Sequence, residues 1–435
     1  MSTLGRAISI AATAHADRFD KAGEPYILHP IRVMQRVSSP EERMAAILHD
    51  VVEDTPWTLE MLRPEGFPPA VLAAIDALTK RPGEDYRVYL ERVSRQRIAR
   101  MVKLADLEDN LDIGRIARPT PDDLARHERN LRAKEFLLDA DVRDRIRLLP
   151  EPRALTLREV EDAVPAGTVL ACDFEVLGIH DEEELPWGYR CGRVESIDHH
   201  TPARRMKCRI SSTNLALERV ARCGPATDAE TVVVNHTDCD SILSAGVVAG
   251  ILPPDERFGR AAIAADHTGE EDDVADLLQA LDRRRDPVLS FRALRRLLAG
   301  EPLDADVQAA LDERRARRRL ARELVRAGRF AEVGGVAWAE LEGEVDGEFF
   351  PALLPTAAVI VLGSRDPSVA APWITKVRLG QAAPEGMSLF DLGIRKLDPN
   401  FGGRWNAGSN RRLGGTKVPP DFYAEALAAR LGRPG

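Results

Sequence analysis

The sequence predicts a multidomain fold, in which an all-α domain precedes an α/β domain with a mainly parallel sheet and a smaller α+β carboxyl-terminal domain. Three observations support this class. The chain has 435 residues, which exceeds the size at which a single hydrophobic core keeps growing. Apolar residues recur with helical periodicity through residues 1–148. Beyond residue 165, short apolar runs alternate with helical patterns, as expected for an α/β domain.

Composition narrows the range of partners. The chain is 44% hydrophobic and 30% charged, as in globular proteins, and its formal net charge of -9 argues against long nucleic acid or an anionic membrane as a partner. No segment approaches the roughly 20 apolar residues of a spanning helix. The five cysteines are odd in number and form no C-x-x-C pair, so we expect a cytoplasmic protein. A homo-oligomer is compatible with the sequence.

Changes in amino-acid composition and periodicity along the chain predict the domain boundaries. Prolines 150, 152 and 165 mark a boundary region, and arginines crowd the helical pattern before residue 330. That arginine-rich segment is either a solvated helix face paired with acids or a wall that binds anions. We predict a helical domain at 1–148, a linker at 149–164, an α/β domain at 165–285, an arginine-rich connector at 286–330 and a substrate or cap domain at 331–435.

Four apolar runs of the α/β domain each contain Asp or His at or near their ends, and we predict strands there: TVLACDFEVLG, GRVESIDHH, ETVVVNHTDCD and RAAIAADHTG. The stretches STNLALERVARCG and CDSILSAGVVAGIL between them have helical patterns. Parallel strands gather functional groups at their carboxyl ends, so the Asp and His residues are expected to share one site.

In the first domain, the stretch AILHDVVEDT combines acidic residues and a histidine with apolar residues typical of a buried helix. On one continuous helix, His49 would share a face with Glu53, and Asp50 with Asp54. Burying these groups costs several kcal/mol per uncompensated charge, which a divalent metal ion would offset. The alternative is an exposed acidic face with a capping histidine.

Two further stretches favour the metal site. His29 precedes a proline in EPYILHP, where extended geometry is expected, and Asp106 follows an apolar helical run in VKLADLEDN. Two histidines and two aspartates suit Mn²⁺, Zn²⁺ or Fe²⁺.

The ordered set GEPYILHP, AAILHDVVEDT and VKLAD…N resembles the hydrolase domain of RelA/SpoT-type alarmone enzymes, within the HD phosphohydrolase superfamily. The chain departs from that pattern at Asp20, Leu107 and Asp109. The resemblance implies removal of the 3′-pyrophosphate from guanosine alarmones. It also implies Mn²⁺ or another divalent metal at His29, His49, Asp50 and Asp106, water activation by Glu53 and Asp54, and nucleotide contacts from Lys21, Lys103 and Asn110.

A second set of Asp and His residues follows apolar runs in the α/β domain. A metal site is one interpretation, and turn or helix capping is the other, especially for Asp240 before SILSAG. The candidate ligands are Asp198, His199, His200, His236, Asp238, Asp240, Asp266 and His267.

These motifs resemble the DHH phosphoesterase superfamily, although the D-x-D-like loop here follows the Asp-His-His triplet instead of preceding it. The tail FGGRWNAGSNRRLGGT resembles the superfamily's glycine-rich substrate loop, with arginine in place of histidine. A flexible basic hairpin is the alternative. The resemblance implies Mn²⁺ or Mg²⁺ in this site and substrate contacts from Arg404, Asn406, Ser409, Asn410, Arg411 and Arg412.

Together, the motifs predict a metal-dependent phosphohydrolase with an HD domain and a second, DHH-like site, acting on a small phosphorylated nucleotide or a short oligonucleotide. Two alternatives stay open. In the first alternative, the HD domain is a nucleotide-binding regulatory module that controls a DHH-type phosphoesterase. In the second, the DHH-like half is a non-catalytic scaffold.

Overall fold

A computed structural model describes residues 3–112, 114, 120–179, 183–200, 210–343, 345–365 and 373–431. The chain forms two compact units, which we call the helical unit (1–144) and the mixed unit (145–435). This arrangement confirms the prediction of a helical amino-terminal region followed by α/β domains. Within the described ranges, no helix has the length and apolar character needed to cross a membrane. Four cysteines are free thiols, and Cys208 lies outside the described residues.

The described part of the helical unit contains nine α-helices, the last of which continues one residue into the mixed unit. They are α1 (Leu4–Ala14), α2 (Leu28–Gln35), α3 (Pro40–Leu48), α4 (Val51–Asp54), α5 (Leu59–Leu62), α6 (Pro69–Leu78), α7 (Tyr86–Ser94), α8 (Arg97–Asn110) and α9 (Pro121–Arg145). One apolar core joins α1, α3, α6 and α8, with Ile47, Leu48 and Leu107 among its buried side chains.

Local capping explains where the functional helices begin. The Ser39 hydroxyl accepts from the Glu42 backbone N–H, and the Glu42 carboxylate accepts from the Ser39 backbone N–H, which forms a capping box at α3. Gln96 accepts from the Ala99 N–H at the start of α8. These caps fix the starts of the two helices that lead to His49 and Asp106.

The mixed unit contains two sheets of six strands and a short two-stranded pair. Its strands are β1 (Ile146–Leu148), β2 (Leu155–Thr156), β3 (Thr168–Cys172), β4 (Val176–Leu177), β5 (Glu183–Leu185), β6 (Gly188–Cys191), β7 (Val194–Ile197), β8 (Glu230–Val234), β9 (Ala331–Val333), β10 (Val336–Leu341), β11 (Val359–Arg365), β12 (Trp373–Leu379), β13 (Gly402–Gly403) and β14 (Ala407–Ser409). Its helices are α10 (Leu157–Ala163), α11 (Ser212–Cys223), α12 (Cys239–Val248), α13 (Glu256–Ile263), α14 (Asp273–Leu281), α15 (Pro287–Ala299), α16 (Ala305–Arg326), α17 (Phe350–Leu353), α18 (Ile394–Leu397) and α19 (Pro420–Leu431).

The first sheet has the order β1-β8-β3-β7-β6-β5. Strands β1, β8, β3 and β7 pair in parallel, whereas β6 pairs antiparallel with β7 and β5 pairs antiparallel with β6. The carboxyl ends of β8, β3 and β7 therefore meet at one edge, with β3 in the middle. A site built on this edge receives its central group from β3.

The predicted strand in RAAIAADHTG is wrong. The segment continues α13 and then forms a π-helical turn, Ala264–Thr268, which ends at Gly269 in a left-handed conformation. Short apolar runs cannot be assigned to helix or strand by periodicity alone. Asp266 and His267 are therefore placed by a π-turn, a feature often found at functional sites.

Residues 149–164, which we expected to form a linker, contain β2 and α10. The side chains of Leu149, Leu155 and Val160 are buried in a core shared with β3. Pro150 and Pro152 lie between β1 and β2, within the mixed unit.

The second sheet has the order β13-β14-β12-β11-β10-β9 and is antiparallel except for the β10–β11 pair. Arginines of α16 face acidic partners: Arg314 and Arg318 contact Asp276, and Arg315 lies 2.8 Å from Asp273. These pairs agree with the predicted pairing to acids, but Arg314 and Arg318 are buried and not on a solvated face.

Candidate functional site

Three separate segments of the helical unit bring His29, His49, Asp50 and Asp106 together, and we call these residues the first cluster. His29 Nε2 lies 3.6 Å from Asp50 Oδ2 and 3.1 Å from Asp106 Oδ1. His49 Nε2 lies 3.1 Å from Asp50 Oδ2 and 3.8 Å from Asp106 Oδ1. His29, His49 and Asp50 offer ligand atoms within 4.8 Å of one another. The four side chains can therefore surround a single cation.

The local backbone of this cluster differs from the prediction in two places. AILHDVVEDT is not one helix, because α3 ends at Leu48 and α4 begins at Val51. His29 is not extended but lies in the first turn of α2, where the missing N–H of Pro30 leaves no intrahelical hydrogen bond unmade. Both changes leave the two histidines directed at the same point.

In both His29 and His49, Nδ1 makes a hydrogen bond to a neighbouring group and Nε2 faces the other cluster residues. His49 Nδ1–H donates to the Ala46 carbonyl at 2.7 Å, which leaves Nε2 buried without a hydrogen-bond partner. His29 Nδ1–H donates to Asp109 Oδ2 at 2.8 Å. A hydrogen bond at one ring nitrogen fixes the tautomer and orients the other nitrogen toward a metal. The buried Nε2 of His49, which makes no hydrogen bond, is therefore suited to be a metal ligand.

Asp109 and Tyr26 support the cluster, and neither was identified as functional from the sequence. Asp109 is buried and accepts from Arg32 Nε at 2.8 Å and Arg36 Nη1 at 2.9 Å, besides His29. The Tyr26 hydroxyl donates to Asp50 Oδ2 at 2.7 Å. The available signal was that Asp109 stands where the motif that the sequence resembles has a histidine, because a carboxylate one turn beyond Asp106 is placed to hold a histidine.

Lys103 and Asn110, predicted to contact nucleotide, both bind the Asp106 carboxylate. Lys103 Nζ donates to Oδ2 at 2.7 Å and Asn110 Nδ2 donates to Oδ1 at 2.6 Å. Lys21 Nζ lies 2.5 Å from Asp123 Oδ1. Lys103 and Asn110 therefore orient the Asp106 side chain, and both line the same cavity as Lys21.

Glu53 and Asp54 are exposed, so the predicted burial of the whole acidic stripe is wrong for these two residues. The Glu53 carboxylate accepts from the Lys80 N–H at 2.9 Å, and Asp54 lies 3.9 Å from Arg18. Both line a cavity of about 450 Å³ that also contains the first cluster, Lys21, Lys103 and Asn110. This volume is within the range of small-molecule sites.

Electrostatics in the first cluster favour a bound cation. Burial opposes protonation of His29, but the hydrogen bonds and charges of Asp106, Asp109 and Asp50 outweigh it and raise its pKa to about 9. The pKa of His49 is also raised against its burial, mainly by the charge of Asp50. The surrounding carboxylates thus favour a positive charge at this point, which protons on the imidazoles supply here and which a divalent metal ion bound to neutral histidines would supply instead.

In the mixed unit, the carboxyl ends of β3, β7 and β8 bring a second group of side chains together. We call it the second cluster: Asp173, His199, His200, His236, Asp238, Asp240 and Asp266. Asp173 occupies the centre, directly after the middle strand β3. It was not among the predicted ligands, although TVLACDFEVLG was one of the runs expected to end at the site.

Asp173 joins two groups of candidate ligands. Its Oδ2 lies 3.2 Å from His236 Nε2, which is itself 3.5 Å from Asp238. Its Oδ1 lies 3.7 Å from His199 Nε2. Hydroxyl donors hold its two oxygens, Ser212 at 2.8 Å and Ser241 at 2.7 Å. The carboxylate is therefore fixed between the two groups.

The second group surrounds His199. Its Nδ1–H donates to the Ile210 carbonyl at 2.8 Å, and its Nε2 lies 3.2 Å from Asp266 and 3.6 Å from Asp240. The Asp266 Oδ2 atom is buried without a well-formed hydrogen bond. As in the first cluster, an imidazole that a backbone carbonyl orients and that carboxylates surround fits a cation.

Two predicted ligands lie beside these groups rather than within them. Asp198 Oδ1 accepts from His200 Nδ1 at 2.6 Å and so orients that ring. His267 Nε2–H donates to the Ile210 carbonyl at 3.0 Å, and the ring packs edge-on against His199 with centroids 5.5 Å apart. Both residues therefore support the cluster from outside.

The capping alternative for this segment holds in part. Asp238 caps α12 by accepting from the Ser241 N–H at 3.0 Å. Asp240 accepts from the N–H groups of Ser212 and Thr213 at the start of α11, each at 2.7 Å. The loop residues thus tie two helix starts to the cluster.

The glycine-rich tail delivers Arg404 to the second cluster. Strands β13 and β14 form a hairpin, and Arg404 in its turn lies 3.1 Å from Asp266 Oδ2 and donates to His200 Nε2. Asn410 instead has a structural place, because it bonds to Thr375 and Asp398 in the interior. Arg411 and Arg412 are exposed on a one-turn 3₁₀ helix.

Asn406 and Ser409 border cavities of the mixed unit. Asn406 lines a cavity of about 290 Å³ together with Asp266, whereas Ser409 lines a basic cavity of about 300 Å³ with Lys376 and Arg378. Of the predicted tail residues, Arg404 and Asn406 are the ones whose described contacts reach the cluster or its immediate support.

Burial and neighbouring charges together shift the pKa values of the second cluster. Burial opposes protonation of His236 and His199, but neighbouring carboxylates raise their pKa values to about 10 and about 9. Burial raises the pKa of Asp238 to about 7 despite the opposing charge of His236. Burial and the charge of His199 lower the pKa of His267 to about 3.

The amino-terminal region of the chain matches curated alarmone enzymes. It is 35% identical over 117 residues to a guanosine-3′,5′-bis(diphosphate) 3′-pyrophosphohydrolase of Haemophilus influenzae, covering 23% of this chain and 17% of that protein. It is 31% identical over 120 residues to the enzyme of the same name from Aquifex aeolicus, covering 25% and 17%. The amino-terminal region is homologous to SpoT-type (p)ppGpp hydrolases. The matched segment spans about a sixth of those relatives, at 17% of each.

Two solved structures also resemble the chain. One is described as a metazoan ortholog of SpoT that hydrolyzes ppGpp, with 26% identity, 32% of this chain and 84% of that chain covered, and a TM-score of 0.28. The other is a pGpG-specific phosphodiesterase, PggH from Vibrio cholerae, with 13% identity, 44% and 81% covered, and a TM-score of 0.30. No protein-family model matches the chain.

Proposed function

We propose that the helical unit is a metal-dependent nucleotide phosphohydrolase that removes the 3′-pyrophosphate of a guanosine alarmone. One observation carries the proposal: His29, His49, Asp50 and Asp106 converge from three segments, with His49 Nε2 buried beside the Asp50 carboxylate and without a hydrogen bond. Homology to SpoT-type hydrolases supports the substrate class. His29, His49, Asp50 and Asp106 would hold Mn²⁺.

When bound, the metal would lower the pKa of a water molecule and neutralise charge on the phosphoryl oxygens. Glu53 and Asp54 line the same cavity and are assigned to orient that water and accept its proton. Lys103 and Asn110 hold the Asp106 carboxylate, and Lys21 lies at the cavity wall, where it can contact a phosphate.

The second cluster supports a second phosphoesterase site of the DHH type in the mixed unit. Asp173 would be shared between a site of His236 and Asp238 and a site of His199, Asp240 and Asp266, an arrangement suited to two divalent ions, Mn²⁺ or Mg²⁺. Arg404 lies beside Asp266 and is assigned to bind a substrate phosphate. The substrate class is a phosphorylated nucleotide or a short oligonucleotide.

The test uses the full chain with Mn²⁺ and two substrates, ppGpp and a linear dinucleotide. We expect wild-type protein to release pyrophosphate from ppGpp and to cleave the dinucleotide. His49→Ala should abolish only the first reaction, and His236→Ala only the second, so each variant is the control for the other.

Two results would contradict the proposal. Loss of both reactions in His49→Ala, with His236→Ala unaffected, would assign all activity to the helical unit and leave the mixed unit a scaffold. Binding of ppGpp without pyrophosphate release, combined with dinucleotide cleavage that responds to ppGpp, would make the helical unit a regulatory module.

A further inference from the structure

We propose that the 290 Å³ cavity beside the second cluster binds the nucleobase of the substrate and that this base is guanine. The inference rests on the proposed phosphoesterase function of the mixed unit and names the base that this site selects. We call this cavity the base pocket. It is at the small end of ligand pockets, which suits one ring system rather than a whole nucleotide.

The side chain of Asn406 gives the base pocket an unpaired acceptor. Asn406 lines the pocket, is only 4% exposed, and its Oδ1 has no hydrogen-bond partner. Its orientation is fixed by a chain of hydrogen bonds: His267 Nε2–H donates to the Ile210 carbonyl, so Nδ1 accepts from Asn406 Nδ2 at 3.4 Å. An amide rotated the other way would set two acceptors against each other. A buried, unsatisfied carbonyl oxygen is costly unless a ligand donates to it.

Trp405 and Met387 supply apolar walls suited to a flat ring. Trp405 is buried, and its ring centroid lies 6.0 Å from that of His267. Aromatic faces and thioethers both pack well on nucleobases. The backbone is rigid here, because the carbonyls of Trp405 and Asn406 accept from Leu389 and Leu379, each at 2.8 Å. The pocket is therefore preformed.

The polar groups of the pocket match the edge of guanine. Asn406 Oδ1 and the exposed Glu385 carboxylate are acceptors, and the Arg378 guanidinium is a donor. Guanine donates through N1–H and its exocyclic amine and accepts at O6. Adenine has an acceptor at N1, which would face a carboxyl or carbonyl oxygen. A site built for hydrogen bonding rejects a ligand that leaves its buried polar groups unpaired.

The position of the pocket relative to the cluster agrees with this role. Asp266 lines the pocket and also belongs to the group around His199. A nucleotide whose base fills the pocket would therefore carry its phosphate toward the second cluster and Arg404.

The experiment measures binding of guanosine 5′-monophosphate and adenosine 5′-monophosphate to the full-length protein in EDTA by isothermal titration calorimetry. We expect the guanine nucleotide to bind more tightly, and Asn406→Ala to weaken it about tenfold, as for loss of one buried hydrogen bond. Ala383→Phe, at a half-buried wall position, should block the pocket without removing a polar contact. Asn400→Ala is the matched control, because Asn400 bonds to Gly415 outside the pocket.

The outcomes separate this proposal from the phosphoesterase proposal. Unchanged affinity for the guanine nucleotide in both Asn406→Ala and Ala383→Phe, or tighter binding of the adenine nucleotide, would overturn the base pocket while leaving His236-dependent cleavage intact. Conversely, loss of affinity in both variants with no His236-dependent cleavage would support the pocket and reject the phosphoesterase site. Any binding in the helical unit is common to all variants, so the affinity of the pocket and its preference for guanine are both read from the difference between wild-type protein and the Asn406→Ala or Ala383→Phe variant.

Discussion

At the scale of single residues, the decisive groups in both clusters are carboxylates that orient or link histidines. Asp109 holds His29 Nδ1, and Asp173 lies between His199 and His236. Neither was predicted, since the sequence motifs point to residue types but not to which carboxylate reaches a given imidazole. That assignment depends on tertiary packing, which brings α8 beside α2 and places β3 between β7 and β8.

Substitution of Asp109 by asparagine tests its role in positioning His29. Because outer-shell partners raise the basicity of a metal-binding imidazole, we expect Asp109→Asn to weaken Mn²⁺ binding about 10- to 100-fold. Excess Mn²⁺ should restore ppGpp hydrolysis. Mn²⁺ titration of the full chain measures the affinity, and Asp76→Asn, on the exposed surface of α6, is the control. Equal Mn²⁺ affinity in the Asp109 variant and the control would remove the positioning role.

Metal content tests whether Asp173 is shared. Asp173 has φ 61°, a left-handed conformation that asparagine tolerates, so Asp173→Asn preserves the backbone. We expect this variant to lose both ions of the mixed unit, whereas Asp238→Asn should lose one, as measured by elemental analysis per chain. The shared-ligand account fails if both variants lose the same number of ions.

At the scale of elements, the π-turn Ala264–Thr268 depends on Gly269. Its φ is 67°, and an added Cβ would lie 2.2 Å from the Glu348 carbonyl oxygen. Gly300 has φ 68° with open space around it, which makes Gly300→Ala a matched control. Left-handed backbone costs an alanine about 1–2 kcal/mol at either position. The close approach to Glu348 adds overpacking at Gly269 alone, so Gly269→Ala should lower the free energy of unfolding by about 1–3 kcal/mol more than Gly300→Ala does.

Chemical denaturation, followed through the unfolding transition of the mixed unit, measures this difference in free energy of unfolding. We also expect Gly269→Ala to weaken metal binding at Asp266, because the turn that holds it must shift. Equal destabilisation by the two substitutions would show that the close approach to Glu348 does not constrain the turn.

The elements also show what sequence patterns can and cannot predict. The helices of the first domain and the strands before Asp198 and His236 follow from periodicity, since those patterns are long or are flanked by turn residues. RAAIAADHTG was assigned wrongly because Ala and Ile fit a buried helix as well as a strand. The break at His49 was missed because periodicity does not encode the side-chain hydrogen bond from His49 to the Ala46 carbonyl that accompanies it.

At the scale of the whole molecule, each unit carries its own cluster on its own core. In the described residues, the first cluster draws on α2, α3, α4 and α8, and the second on the edge of a mixed sheet with a hairpin turn above it. The two proposed activities should therefore be separable by substitution. The two activities act on one nucleotide in succession if the product that one unit releases is a substrate of the other.

Metal binding should stabilise the helical unit. A ligand that binds only the folded state at 100 times its dissociation constant adds about 2.7 kcal/mol. We expect Mn²⁺ added to EDTA-treated protein to raise the thermal transition of this unit, as followed by differential scanning calorimetry, and His49→Ala to remove the increase. An equal increase in His49→Ala would place the stabilising ion elsewhere.

The most direct test of the central claim is anomalous diffraction from a crystal of the full chain grown with Mn²⁺. The convergence of three segments on one cation predicts an anomalous peak in direct contact with His29 Nε2, His49 Nε2 and oxygens of Asp50 and Asp106. A Mn²⁺-saturated crystal without a peak between these four side chains, or with His29 or Asp106 turned away from the ion, would contradict the account.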